Sequence, residues 1–231
     1  MKLLSFCIFL GIVFTQAVCV SSQESCNEYV DRILQDLKAD KEIFQDPYAI
    51  PEKTIAVHKK VLLINYTGEA SIYDGHLFGL QTLHRDGDVI VDRKGKTTHL
   101  KVDLGAGELK LRGSGKVKLM GHGPNVKIDA KIVYVNMALD IVPNAKGTNP
   151  NLQNFQLLDV KGLDVKVSGM GPLNFFLNAY VKVVGRMFRN LVKLSIEGRL
   201  KVFLDKKLKD IEVPQDCLND GMRSFGINAI Y

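Results

Sequence analysis

Residues 173 to 197 constrain this chain more than any other stretch. Wound at about 100° per residue, Phe176, Leu177, Tyr180, Val181, Val183, Val184, Met187, Phe188, Leu191, Val192 and Leu194 fall on one half of a helix. Lys182, Arg186, Arg189, Lys193 and Glu197 gather in a narrow arc opposite. A surface helix needs an apolar stripe of only about 100°, so a helix apolar over half its girth requires a partner that curves around it. The helical phase fails after Gly198, where Lys201 would face the apolar side. A second phase starts with Leu200, Phe203, Leu204 and Leu208, which predicts a kink or short break at Gly198 and a terminal helix to about Lys209.

The partner is legible upstream, where the period changes from 3.6 to two between Lys53 and about Ser168. Leu100, Val102 and Leu104 alternate with Lys101 and Asp103, Val117 and Leu119 with Lys116 and Lys118, and Val126, Ile128 and Ala130 with Lys127, Asp129 and Lys131. Leu109, Leu111, Leu163, Val165 and Val167 follow the same rhythm. Strands with one dry and one wet face form antiparallel sheets rather than doubly wound parallel ones. Asp86-Gly87-Asp88 and Lys94-Gly95-Lys96 are hairpin turn candidates, and 143–154 (PNAKGTNPNLQN) reads as a polar loop. The pairs Gly105/Gly107, Gly113/Gly115 and Gly121/Gly123 recur every eight residues. They lack phosphate-loop spacing and are read as turns, bulges or bends in a strongly curved sheet.

At the amino terminus, Lys2, the apolar run Leu3 to Phe14 and the small-residue context Ala17-Val18-Cys19 form a signal peptide, too short in its apolar part to span a bilayer. Cleavage is expected near Cys19, with Ser22 as the alternative. Residues 1–19 are therefore assigned to the signal and 20–231 to a single domain in a secreted, extracellular protein. Lys2 is the signal's single basic residue, so its loss takes the formal net charge from +6 to +5. The excess is scattered, with lysine doublets only at Lys59-Lys60 and Lys206-Lys207 and no interleaved aromatics, which argues against nucleic acid. A basic, amphipathic exterior allows weak contact with membrane or microbial surfaces.

Ser25 and Glu28 make a capping box, followed by Tyr29, Val30, Ile33, Leu34 and Leu37 on one face of a short helix ending near Asp40. Cys26 and Cys217 are left once the signal is removed. One internal disulfide is then available, worth roughly 5 kcal/mol by chain entropy; intermolecular pairing and free thiols are the alternatives. Asn65-Tyr66-Thr67 is a glycosylation sequon. The five histidines form no zinc signature, no nucleophile elbow is present, and carboxylates scattered on wet faces define no acid–base pair. The chain reads as a non-enzyme needing no cofactor or metal.

This order, carried most specifically by 109–119 (LKLRGSGKVKL) and 169–176 (GMGPLNFF), resembles the arthropod juvenile-hormone-binding and takeout-like secreted proteins and their relatives, the group 7 mite allergens. The resemblance covers the whole mature chain. The hormone carriers usually hold two cysteines close together near the amino terminus, whereas here Cys26 has only Cys217, which moves the likeness towards the allergen branch. The resemblance implies an α+β half-barrel super-roll of the bactericidal/permeability-increasing type: a long curved antiparallel sheet rolled around a long C-terminal helix, with a short N-terminal helix. It implies a carrier that binds a hydrophobic small molecule or lipid in an apolar tunnel between sheet and helix. Phe176, Tyr180, Val184, Met187, Phe188 and Leu191 are the expected lining from the helix, and Tyr29, Ile33 and Leu37 from a lid-like first helix. Tyr180 is the expected polar anchor. Alternatives are a surface-active module for microbial or membrane lipids, and an allergen-like interaction protein with a filled core.

Overall fold

In the computed structural model, Ser25 caps a helix, α1 (Cys26–Ala39), its hydroxyl accepting from the Glu28 amide while the Glu28 carboxylate accepts from the Ser25 amide. The structure describes residues 25–61, 64–95, 97–119, 121–144, 147–207, 213, 214 and 217; the side chains of 57–67, 119 and 207 fall outside that description. The signal segment and the expected end of the terminal helix near Lys209 lie outside the described residues.

Eleven strands follow among the described residues: β1 (Tyr48–Ile50), β2 (Lys53–Val61), β3 (Ile64–Phe78), β4 (His84–Arg85), β5 (Ile90–Lys94), β6 (Thr97–Ala106), β7 (Leu109–Leu119), β8 (Asn125–Ile132), β9 (Tyr134–Val142), β10 (Asn151–Lys161) and β11 (Asp164–Ser168). The loop expected over 143–154 is shorter than its composition indicates, because β10 begins at Asn151 and pairs with Val142. A 3-10 segment, Gly171–Phe176, leads into α2 (Leu177–Lys207).

The strands form two antiparallel sheets. One has the order β1-β3-β7-β8-β11 with β2 also on β3; the other has β10-β9-β6-β4 with β5 also on β6. Their register makes them two halves of one creased sheet. The chain passes from β6 into β7, from β8 into β9 and from β10 into β11 with interruptions only at 107–108, 133 and 162–163. Ala106 faces Val135 on one side of the crease and Leu109 faces Ile132 on the other. The Val133 amide donates to the Lys161 carbonyl at 3.0 Å across the same line. Gly107 is required here, since a Cβ on it would stand 2.4 Å from the Val133 carbonyl oxygen. The glycine rhythm thus has separate structural uses: Gly105/Gly107 at the crease, Gly113/Gly115 inside β7, Gly121/Gly123 at the β7–β8 turn.

Alternate residues point inward: Leu100, Val102, Leu104 and Ala106 on β6, Val126, Ile128, Ala130 and Ile132 on β8, and Val135, Met137, Leu139 and Ile141 on β9 are buried in one apolar core. Helix α2 lies in this roll, touching β2 on one side and β10 and β11 on the other. It does not break at Gly198. Tyr180, Val184, Phe188, Val192 and Ile196 are each 0% exposed, and Leu200 and Leu204 4% and 2%. Each four-residue step overshoots a full turn by about 40°, so the buried line winds around an unbroken helix. A twisted, coiled sheet follows that winding, and a straight half-cylinder mistakes it for a loss of phase. Leu194, assigned to the apolar half, is 62% exposed for the same reason.

The disulfide joins Cys26, the first residue of α1, to Cys217 beyond α2. Helix α1 is further held by Asp31, whose two carboxylate oxygens accept from Arg85 Nε and an Nη at 3.0 and 2.9 Å. Asn65 sits in β3 opposite Lys60.

Candidate functional site

The expected lining residues separate into two groups. Tyr29, Ile33, Leu37, Phe176, Tyr180, Val184 and Phe188 are all at most 4% exposed and belong to the common core. Met187 and Leu191 are only partly buried and face open space. Tyr180 is held within the protein: its hydroxyl donates to the Ser71 carbonyl at 3.2 Å. A Cβ on Gly115 would approach that hydroxyl to 2.4 Å. Burial, and secondarily Tyr73, raises the Tyr180 pKa far above its ordinary value.

Beside the buried line of α2 runs a second one, made of Met187, Leu191, Leu194, Ser195, Gly198, Arg199 and Val202. Apart from Met187, these residues form one wall of a groove of about 1120 Å³. The other wall comes from Glu42, Ile43 and Gln45 in the loop after α1, from Tyr48 and Ile50 on β1, and from Pro51, Glu52 and Lys53. Gly198 contributes an open stretch of wall, with nothing within 4 Å of where a Cβ would stand.

That second wall is pinned by carboxylates accepting from backbone amides, charge-assisted bonds that fix a loop well. Asp40 accepts from the Glu42 and Ile43 amides, both at 3.1 Å. Asp46 accepts from the Gly79 amide at 3.0 and 3.1 Å and from the Gln81 amide at 2.9 Å. Between these anchors Phe44 is buried to 1% exposure, and β1 then pairs with β3, Tyr48 opposite Leu77.

A smaller pocket adjoins the groove. Ile50, Lys53, Leu191 and Leu194 also line an apolar pocket of about 100 Å³ between α2 and the sheet, completed by Ile55, Ile72, Leu111, Met187 and Asn190. Ligand sites commonly measure 300–1,000 Å³ and are mostly apolar with a few placed polar groups. The pocket is smaller than that and the groove slightly larger, so together they make a wide mouth over a narrow, largely apolar slot. Leu194 and Val202 leave apolar surface in the mouth, 62% and 40% exposed, and the charged rim is Glu42, Glu52, Lys53, Arg199 and Lys206.

Arg199 is a half-buried cation in the groove wall. Its guanidinium carbon stands 4.0 Å from the centre of the Tyr48 ring and 5.9 Å from that of Phe44. One Nη donates to the Ser195 carbonyl at 2.7 Å. Burial lowers its pKa, partly offset by the Tyr48 hydroxyl. Its periodicity places Arg199 in a region where the sequence indicates only a loss of phase; the unbroken i, i+4 run from Tyr180 to Leu204 was the signal that would have located this wall. Among the described residues no three His, Cys, Asp or Glu side chains assemble as a metal site.

A model of the group 7 allergen family matches residues 25–208. Mite allergen Lep d 7 of Lepidoglyphus destructor is 25% identical over 189 residues, spanning 81% of this chain and 86% of that protein. Among solved structures, Takeout 1 of Epiphyas postvittana superposes with a TM-score of 0.51 at 14% identity, over 80% of this chain and 96% of that one. A lipopolysaccharide-binding protein gives a TM-score of 0.49 at 14% identity, over 80% of this chain and 39% of its own longer length. Takeout 1 therefore shares the fold: antiparallel sheets, a short first helix and a long last one.

Proposed function

We propose that this chain, which belongs to the group 7 allergen family, is a secreted, non-catalytic carrier of a hydrophobic small molecule or lipid. The observation that carries this reading is the groove of about 1120 Å³, which shares Ile50, Lys53, Leu191 and Leu194 with the largely apolar slot between α2 and the sheet. A slot walled by Ile50, Ile55, Ile72, Leu111, Met187, Leu191 and Leu194 gains by taking apolar surface out of water. Each buried methylene of a guest contributes about 0.8 kcal/mol, so a micromolar complex, about 8 kcal/mol, needs on the order of ten methylenes buried in groove and slot together. The Cys26–Cys217 bridge suits an oxidising extracellular setting.

Titration with a fluorescent fatty acid tests the proposal, together with organic extraction of protein secreted from eukaryotic cells. Saturable uptake, displaced by unlabelled lipid, is expected. Leu194→Trp, at an exposed position over the slot, should cut uptake about tenfold, equivalent to roughly 1.4 kcal/mol, with the melting temperature preserved. A clean extract combined with no saturable uptake refutes the carrier reading.

A further inference from the structure

We propose that the groove takes an amphipathic lipid with an oxyanion headgroup, a carboxylate or phosphate, seated against the guanidinium of Arg199 while the tail runs past Leu194 and Leu191 into the slot. This rests on the carrier reading and specifies its ligand class. Arg199 lines the groove yet is only partly exposed. Among the described residues no carboxylate pairs with it and its buried Nε–H has no hydrogen-bond acceptor.

Arginines withdrawn from water are ordinarily paired with a carboxylate. Here the nearby acids are engaged elsewhere or stand apart: Glu197 accepts from Lys201 at 2.8 Å, and Glu42 and Glu52 line the groove without approaching the guanidinium within ion-pair distance. In place of an anion, Arg199 has a stacked Tyr48 ring and one backbone carbonyl. The Tyr48 ring holds the guanidinium in place without supplying a negative charge, and no ion-pair partner stands against it among the described residues. That is the arrangement expected where a ligand supplies the negative partner. Lys53 and Lys206 on the rim add positive potential, giving three cations to two carboxylates around the mouth. The slot is lined by Leu191 and Leu194, about two turns and one turn before Arg199 on the same helix, so head and tail sites are adjacent.

The test compares palmitic acid, hexadecanol and hexadecyl phosphate on the full secreted chain, with inorganic phosphate as a tail-free arm. Palmitic acid and hexadecyl phosphate should bind at least about tenfold tighter than hexadecanol, as expected for a charge-assisted hydrogen bond. Arg199→Gln should erase that preference, lowering palmitic acid and hexadecyl phosphate affinity at least about tenfold more than hexadecanol affinity, and Arg199→Lys should restore part of it. Equal affinity for acid and alcohol, unchanged in Arg199→Gln, overturns the headgroup inference and leaves the carrier reading standing. Inorganic phosphate competing as well as hexadecyl phosphate overturns it in favour of a free-anion site. Failure of all three alkyl probes to bind removes the carrier reading and this inference together. Should Arg199→Gln not fold, the acid-over-alcohol preference of the unaltered chain and its loss in high salt decide the matter.

Discussion

Tyr180 separates a structural role from a ligand-binding one, because its hydroxyl sits at 0% exposure on a backbone partner. In Tyr180→Phe the ring and its packing remain and one buried hydrogen bond is lost, costing about 1 kcal/mol. For a chain of this size that lowers the melting temperature by about 2–4 °C, measurable by calorimetry or urea denaturation. Palmitic acid affinity should not change. Gly115→Ala attacks the same contact from the sheet: the new Cβ would lie 2.4 Å from the Tyr180 hydroxyl, 2.7 Å from the Ser71 carbonyl oxygen and 2.9 Å from Ile128 Cδ1. Overpacking of this kind costs about 1–3 kcal/mol. The double variant should be more stable than the sum of the two losses indicates, since the tightest clash disappears with the hydroxyl. Ionisation gives a second readout. The unfolded chain releases the Tyr180 proton near pH 10, whereas burial keeps it on in the fold. Its contribution is thus complete below that pH and lost as pH rises through and beyond it. Tyr180→Phe should flatten the alkaline fall of stability by up to about 1.4 kcal/mol per pH unit. A variant of unchanged stability that loses lipid affinity would refute the argument and return Tyr180 to the ligand site.

Two further outcomes concern the supports of the groove. Replacing both Cys26 and Cys217 by Ala opens a loop with a sequence separation of 191, so urea midpoints should fall by an equivalent of about 5 kcal/mol at most; an unchanged midpoint would mean the bridge constrains nothing. Asp46→Ala removes the acceptor of the Gly79 and Gln81 amides, costing about 1–3 kcal/mol. It should also weaken lipid uptake although Asp46 is not part of the groove wall, because the loop carrying Phe44 and Tyr48 loses its anchor; wild-type uptake would show that the wall holds without it.

Much of the architecture was legible because periodicity is a local property. A two-residue alternation states that a strand has a wet and a dry face; β8 and β9 obey it throughout, while two register shifts interrupt it in β10. The capping box at Ser25 and Glu28 likewise needs only neighbours. What escaped was the winding of the buried line on α2 and, with it, Arg199. A helix read against a straight partner loses phase at Gly198; one read against a coiled sheet does not. β1 escaped for a related reason: three residues between two prolines carry too little pattern to register, and pairing with β3 makes them a strand.

By itself the sequence determined which residues are apolar and at what period, hence an antiparallel sheet, a capped short helix and a long helix needing a concave partner. Only tertiary structure decided which apolar residues became core and which were left facing a groove. Phe188 and Leu191 are equally apolar and three positions apart, yet one is fully enclosed and the other borders the slot. The difference lies in where the creased sheet, with its glycine at the fold line, stops covering the helix, and that is set by contacts between residues far apart in the chain.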